Sequence, residues 1–202
     1  MILTSSLYES IKLVKKFLNE KTASKKILFI PTATNVDGYK KYIHLTQKVF
    51  EDFGYEVENF DISAFPEEVA KKKLLEAEIV FISGGNTFYL LQELKKKNLI
   101  SYLKERIGKG LIYIGESAGS VITAPNIEYV SVMDDKTLAE ELDDYTGLNL
   151  VDFYILPHYN NFPFKKATNK IFELYSTKLS LRTISNDEVI LVDNDKIEVK
   201  SK

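Results

Sequence analysis

The sequence predicts an α/β protein, a three-layer sandwich in which a mostly parallel sheet is flanked by helices. Three observations carry that expectation. Short apolar runs that read as buried strands alternate with longer segments whose apolar residues recur at helical spacing. Two strands end in glycine-bearing turns, Gly84-Gly85 and Gly115-Glu116-Ser117-Ala118-Gly119, that lead directly into helical patterns. The 202 residues, 45% of them apolar, suffice for one sizeable core, and no repeat, linker or low-complexity tract divides them, so 1–202 reads as a single domain.

Taken in order, Met1 to Thr4 is a short apolar strand, followed by a helix from Leu7 to Asn19 with Ile11, Val14, Phe17 and Leu18 as its apolar stripe. Ile27 to Ile30 is a buried-type strand stopped by Pro31. Gly38 to Phe53 reads as a helix with Tyr42, Leu45, Val49 and Phe53 on one face, closed by Gly54. Tyr55 to Phe60 alternates as a strand does, and Pro66 opens a short helix that runs to Glu76. Glu78 to Ile82 is the next strand; it breaks at Ser83-Gly84-Gly85-Asn86-Thr87 before helices over Phe88 to Lys97 and Leu99 to Ile107. After Gly108 and Gly110 comes the strand Leu111 to Ile114. Beyond it, Ile127 to Met133 favours strand, Thr137 to Asp143 a brief helix, and Phe153 to Leu156 a strand ending in Pro157-His158. Phe164 to Lys178 is the last helix, and Thr183 to Val199 reads as a hairpin closed near Asn194-Asp195.

Gly115-Glu116-Ser117-Ala118-Gly119 fits G-x-S-x-G, and its context of apolar strand before and helical pattern after is what a nucleophile elbow needs. The two glycines leave room for a tight strand-to-helix turn, and Ser117 projects at the carboxyl edge of the sheet. A serine hydroxyl needs a neighbour to take its proton, and a neutral imidazole is the usual one. The chain has two histidines. His44 falls inside a helix and reads as filler; His158 ends an apolar strand and opens the irregular stretch Tyr159-Asn160-Asn161-Phe162-Pro163, so it is the candidate base. Tyr159 and Asn160, beside it in that loop, are candidate substrate contacts.

A carboxylate is expected to hold the imidazole in its productive tautomer. Asp135 is favoured and Asp134 stands beside it, both following a strand-like run; the competing reading makes the pair a helix N-cap, and Asp143, Asp144 and Asp152 also lie between Ser117 and His158. Glu116 should point away from Ser117 and contact substrate or rim. For an oxyanion hole, the Ala118 N–H is one donor and Gly84-Gly85-Asn86 supplies the second, with Asn86 also able to cap the helix that follows.

With these residues assembled, the chain resembles the aspartyl dipeptidase (peptidase E) family of serine peptidases. The matching pieces are Ser83-Gly84-Gly85-Asn86-Thr87-Phe88, Tyr113-Ile114-Gly115-Glu116-Ser117-Ala118-Gly119 and Leu156-Pro157-His158-Tyr159. The resemblance implies a class I glutamine amidotransferase-like (flavodoxin-like) fold with Ser117 as nucleophile, His158 as base and an aspartate near Asp135 as orienter. It implies hydrolysis of short peptides through an acyl-enzyme, dipeptides beginning with aspartate among them, and a homodimer. Glu116 stands where some members carry tryptophan, which bears on substrate preference unless a cation such as Arg182 compensates. An esterase sharing the elbow, or a non-catalytic small-molecule binding module on the same fold, are the alternatives.

Composition excludes other classes. The 27 basic and 29 acidic residues leave no electrostatic footprint for nucleic acid or anionic lipid. No cysteine is present, so disulfides, thiolate metal sites and a cysteine nucleophile are out, and two separated histidines make a poor ligand set: neither metal nor other cofactor is expected. The N-terminus lacks a signal-peptide pattern and no apolar run approaches a membrane span, so a cytoplasmic protein with a small peptide as its partner is the expectation.

Overall fold

The computed structural model describes the chain apart from residues 37–39, 194 and 195 and the side chains of 40–42. Along it run β1 (Ile2–Thr4), α1 (Leu7–Lys21), β2 (Lys26–Ile30), α2 (Lys40–Asp52), β3 (Glu56–Asn59), α3 (Glu67–Glu76), β4 (Ile79–Ile82), α4 (Thr87–Lys96) and α5 (Leu99–Gly108). There follow β5 (Ile112–Glu116), α6 (Ala118–Val121), β6 (Tyr154–Leu156), α7 (Lys165–Tyr175), β7 (Leu181–Thr183), β8 (Val189–Asp193) and β9 (Lys196–Lys200).

The sheet has the order β3-β2-β4-β5-β1-β8-β9, parallel from β3 to β1, with β8 and β9 added antiparallel at one side. Helices cover both faces, which explains why its central strands are continuous apolar runs rather than alternating ones. Their residues divide strictly by face. Ile2, Ile27, Phe29, Ile79, Phe81 and Ile114 pack with Leu7, Val14 and Leu18 of α1 and Val49 and Phe50 of α2. Leu3, Leu28, Ile30, Val80, Ile82 and Tyr113 pack on the other side with residues of α3 to α7. Phe81 anchors the first face, its ring 5.1 Å from those of Phe29 and Phe50.

The parallel register aligns the carboxyl ends that matter. Thr4 pairs with Glu116, Ile82 with Gly115, and Ile30 with Ile82, so the turns after β1, β2, β4 and β5 all open at one edge.

Several elements differ from expectation. Residues 128–132 form a 3-10 helix rather than a strand, because β5 already has β4 and β1 on its two sides and Tyr129 and Val130 are buried instead among the residues of the α3-to-α7 core. The expected helix at 137–143 is one 3-10 turn, Lys136–Leu138. The C-terminal hairpin is present as β8 and β9, but Thr183 belongs to β7, which pairs parallel with β6 in a separate two-stranded sheet. The expected start of the second helix and the hairpin turn at 194 and 195 lie outside the described residues. Among the described residues no helix is long and apolar enough to cross a membrane.

Candidate active site

Ser117 sits at the junction of β5 and α6 with φ 46 and ψ −108, a conformation an L-residue holds only when its surroundings impose it. Those surroundings are glycines in tight contact. A Cβ on Gly119 would lie 2.1 Å from the Ile82 carbonyl oxygen, and one on Gly115 2.5 Å from that of Gly119. The Ser117 N–H donates to the Thr4 carbonyl at 2.9 Å, and its own carbonyl accepts from Ser120 and Val121. Ser120 ties the turn to β1 by accepting from the Thr4 N–H and donating to the Thr4 carbonyl. The helix that follows is a single turn, shorter than the helical pattern after the elbow suggests.

His158 reaches this serine from the end of β6. Pro157 stops the strand, His158 adopts φ 58, and its N–H donates to Ser5 Oγ at 3.0 Å. The ring stacks on Phe164 with centroids 4.6 Å apart. Its Nε2 lies 2.9 Å from Ser117 Oγ. Burial pushes the imidazole below its ordinary pKa, while its hydrogen bond to Asn186 and the charge of Glu9 act the other way. Burial thereby favours the neutral ring, the form able to accept a proton.

The orienting position corrects the expectation. It is Asn186, in the turn before β8, whose Oδ1 lies 2.7 Å from His158 Nδ1; neither Asp135 nor Asp134 occupies it. The Asp135 carboxylate instead accepts from the Thr137 N–H at 2.9 Å and caps the 3-10 turn, which is the N-cap alternative, and the bonds from Thr137 hold its pKa below the usual range. Asp134 accepts from the N–H of Thr87 at 3.0 Å and from its hydroxyl, at the start of α4. Asn86 caps the same helix, accepting from the Tyr89 N–H, and donates to the Asp135 carbonyl at 2.8 Å. Asp134 and Asp135 thus form a wall of the site and not its relay.

Glu116 is corrected in part: it lines the cavity, where a substrate contact is open to it, but not at the rim. At 1% exposure its carboxylate braces the floor, accepting from the Leu7 N–H at 2.6 Å and facing the Gly84 N–H at 3.4 Å. Gly84 packs against Ser117 so closely that a Cβ would come within 3.1 Å of the serine Cβ. Gly85, at φ 130, turns with its α-carbon against the Ala33 carbonyl, 2.3 Å from where a Cβ would be. Tyr159 and Asn160 do not line the site. Tyr159 donates its N–H to the Ile184 carbonyl and packs on Phe172, and Asn160 is exposed. Arg182 lies exposed on β7 over the Phe153 ring, and His44 is exposed on α2.

These parts enclose a cavity of about 420 Å³, within the range of small-molecule sites. Ser117, His158 and Asn186 line it beside Gly84, Gly85 and Asn86; Met133, Phe162 and Pro163 give it an apolar wall. Glu116, Asp134 and Asp135 are its carboxylates, and no lysine or arginine is among the described lining residues. Among the described residues no cluster of three or more His, Cys, Asp or Glu is placed to hold a metal ion.

A doubly covered parallel sheet with a serine on a strained strand-to-helix turn, paired to a histidine from a neighbouring loop, defines an α/β protein of the nucleophile-elbow class. Comparison with known proteins narrows this. The model of peptidase family S51 matches residues 1–200, and the chain belongs to that family of hydrolases. An uncharacterized peptidase of Pasteurella multocida is 45% identical over 172 residues, covering 85% of this chain and 83% of that protein. One from Listeria innocua is 42% identical over 200 residues, 99% of this chain and 95% of the other. A crystal structure of a proposed peptidase E from Listeria monocytogenes superposes with a TM-score of 0.92 at 40% identity, covering 100% of this chain and 97% of that one.

Proposed function

We propose that the protein is a serine-type peptidase that hydrolyses short peptides, dipeptides among them, through an acyl-enzyme on Ser117. The observation that carries this reading is the 2.9 Å approach of His158 Nε2 to Ser117 Oγ at an open cavity. Ser117 Oγ attacks the amide carbonyl as His158 takes its proton, and the imidazolium returns that proton to the leaving amine. Water, deprotonated by the same nitrogen, then releases the acid. The Ala118 N–H, next after the nucleophile, and the Gly85 N–H, on the neighbouring turn, are the donors for the carbonyl oxygen as it gains charge.

An N-terminal aspartate finds no cation among the described lining residues, whereas an apolar side chain finds Met133, Phe162 and Pro163. Hydrolysis of a dipeptide panel with N-terminal Asp, Glu, Asn, Gly, Ala and Leu is the test of substrate class. Labelling by a fluorophosphonate at Ser117, lost in Ser117→Ala and slowed in His158→Ala, is the test of the chemistry. Absence of both labelling and hydrolysis would overturn the reading in favour of a binding module.

A further inference from the structure

We infer that Glu9 is a positioning residue of this site, acting through Asn186 to fix the tautomer of His158, so that Ser117, His158, Asn186 and Glu9 form one hydrogen-bonded chain. The inference rests on the serine-peptidase reading above. Glu9 lies in the first turn of α1, and α1 begins directly after β1 at the sheet edge where the elbow opens. Its Oε1 accepts from Asn186 Nδ2 at 3.1 Å, and Asn186 Oδ1 meets His158 Nδ1 at 2.7 Å.

An ionised carboxylate only accepts, so Glu9 requires the amide to turn its NH2 outward and its oxygen toward the imidazole. An oxygen at Nδ1 in turn requires the ring proton there, which leaves the Nε2 lone pair facing Ser117. A flipped amide would present NH2 to Nδ1, place the proton on Nε2 and remove the base from the serine. A neutral amide alone cannot tell these states apart by its shape; the carboxylate behind it does. The rest of Asn186 is held as well, its backbone N–H donating to Asn161 Oδ1 at 3.0 Å. Glu9 also places a negative charge behind the imidazolium that forms during acylation, a service an amide cannot supply. An acidic residue in a first helical turn often serves only the helix dipole. The contact with Asn186 is what separates this one from that role.

The test uses the full chain with His44→Gln, which leaves a single imidazole to follow by NMR, since the protein has two histidines. The other acidic groups near the ring remain constant across the series: Glu116, Asp134 and Asp135 in the cavity, and Asp187 and Glu188, which Ser185 holds in the turn carrying Asn186. Glu9→Gln and Glu9→Ala should each lower the titration midpoint of His158, by roughly 0.3 to 0.8 pH units for a charge at second remove. Glu9→Ala should in addition mix the two ring tautomers and slow fluorophosphonate labelling about tenfold or more, the direction a wrong tautomer takes in a serine triad. Glu9→Gln, which still offers an oxygen to the amide, should lose roughly threefold by the same argument. Asn186→Asp should be slow because it sets two carboxylates side by side, and Glu9→Gln combined with Asn186→Asp should recover much of that loss.

Midpoint and tautomer unmoved in both Glu9 variants would overturn the inference, as would a double variant no faster than Asn186→Asp. If the parent fails to label while its imidazole responds to Glu9, the peptidase reading falls and the positioning of the ring stands. If the parent labels and the Glu9 variants match it in every readout, only the inference falls.

Discussion

Gly119→Ala isolates the geometry on which the site depends. The added Cβ would lie 2.1 Å from the Ile82 carbonyl oxygen, 2.8 Å from the carbonyl carbon and 3.1 Å from the Ile82 Cβ. The first of these is about 1 Å inside the closest approach that Cβ and oxygen tolerate, so α6 must move off the end of β4 by about that distance. Both sides of the contact are buried, and forced expansion of a packed interior costs about 1–3 kcal/mol. For a chain of this length that is a fall in Tm of roughly 2–12 °C. The same displacement carries Ser117 away from His158, and a misplacement of about 1 Å costs on the order of a hundredfold in rate. Thermal unfolding followed by circular dichroism and the fluorophosphonate labelling rate measure the two effects on one preparation. Gly108→Ala is the control, because nothing lies within 4 Å of its Cβ position. At the end of α5 it should be neutral or gain up to about 1 kcal/mol from helix propensity. A Gly119→Ala protein that melts and labels like Gly108→Ala would refute the argument that close backbone approach builds the elbow.

Three further outcomes are expected. Because His158 must be neutral to act and its pKa lies below the ordinary 6.5, labelling of Ser117 should rise with pH through an apparent pKa under 6.5 and stay level from there to pH 8; a limb above 6.5 would contradict the burial argument. Asp135→Ala should leave the labelling rate within about threefold of the parent and lower Tm only slightly through the lost cap, whereas a drop of about a thousandfold would return it to the relay. Phe162, 91% exposed at the cavity wall, should be replaceable by Ala with Tm unchanged, while KM for dipeptides bearing a large apolar side chain rises severalfold and kcat holds; equal loss on glycine-containing dipeptides would argue against a side-chain contact.

The residues that form the elbow were legible because their constraint is local. Gly115, Ser117 and Gly119 must be small and closely spaced for a strand to turn into a helix, and that requirement is written into consecutive positions. The approach of His158 to Ser117 was legible only in part: each residue ends an apolar strand, but β6 lies outside the seven-stranded sheet and pairs with β7, so it is the packing of that second sheet that brings the imidazole to the serine. Glu116 was misjudged at the rim because alternation says only that its side chain leaves Ser117's side. That the same direction leads to the buried Leu7 and Gly84 N–H groups depends on where α1 starts.

The order of the strands and helices of the main sheet, its two-faced burial and the turn that carries Ser117 are fixed by periodicity and by glycine placement, which act over a few residues and so can be read along the chain. The partner of the imidazole is not. Asn186 follows His158 by 28 positions and reaches it only because β6 pairs with β7 and the turn before β8 folds back over the site, bringing in Glu9 from 177 positions away. A search for a carboxylate between serine and histidine could not find a neutral amide beyond both. Hydrogen bonds that span the chain are chosen by which loops the packed sheet sets side by side, and that choice belongs to the assembled fold.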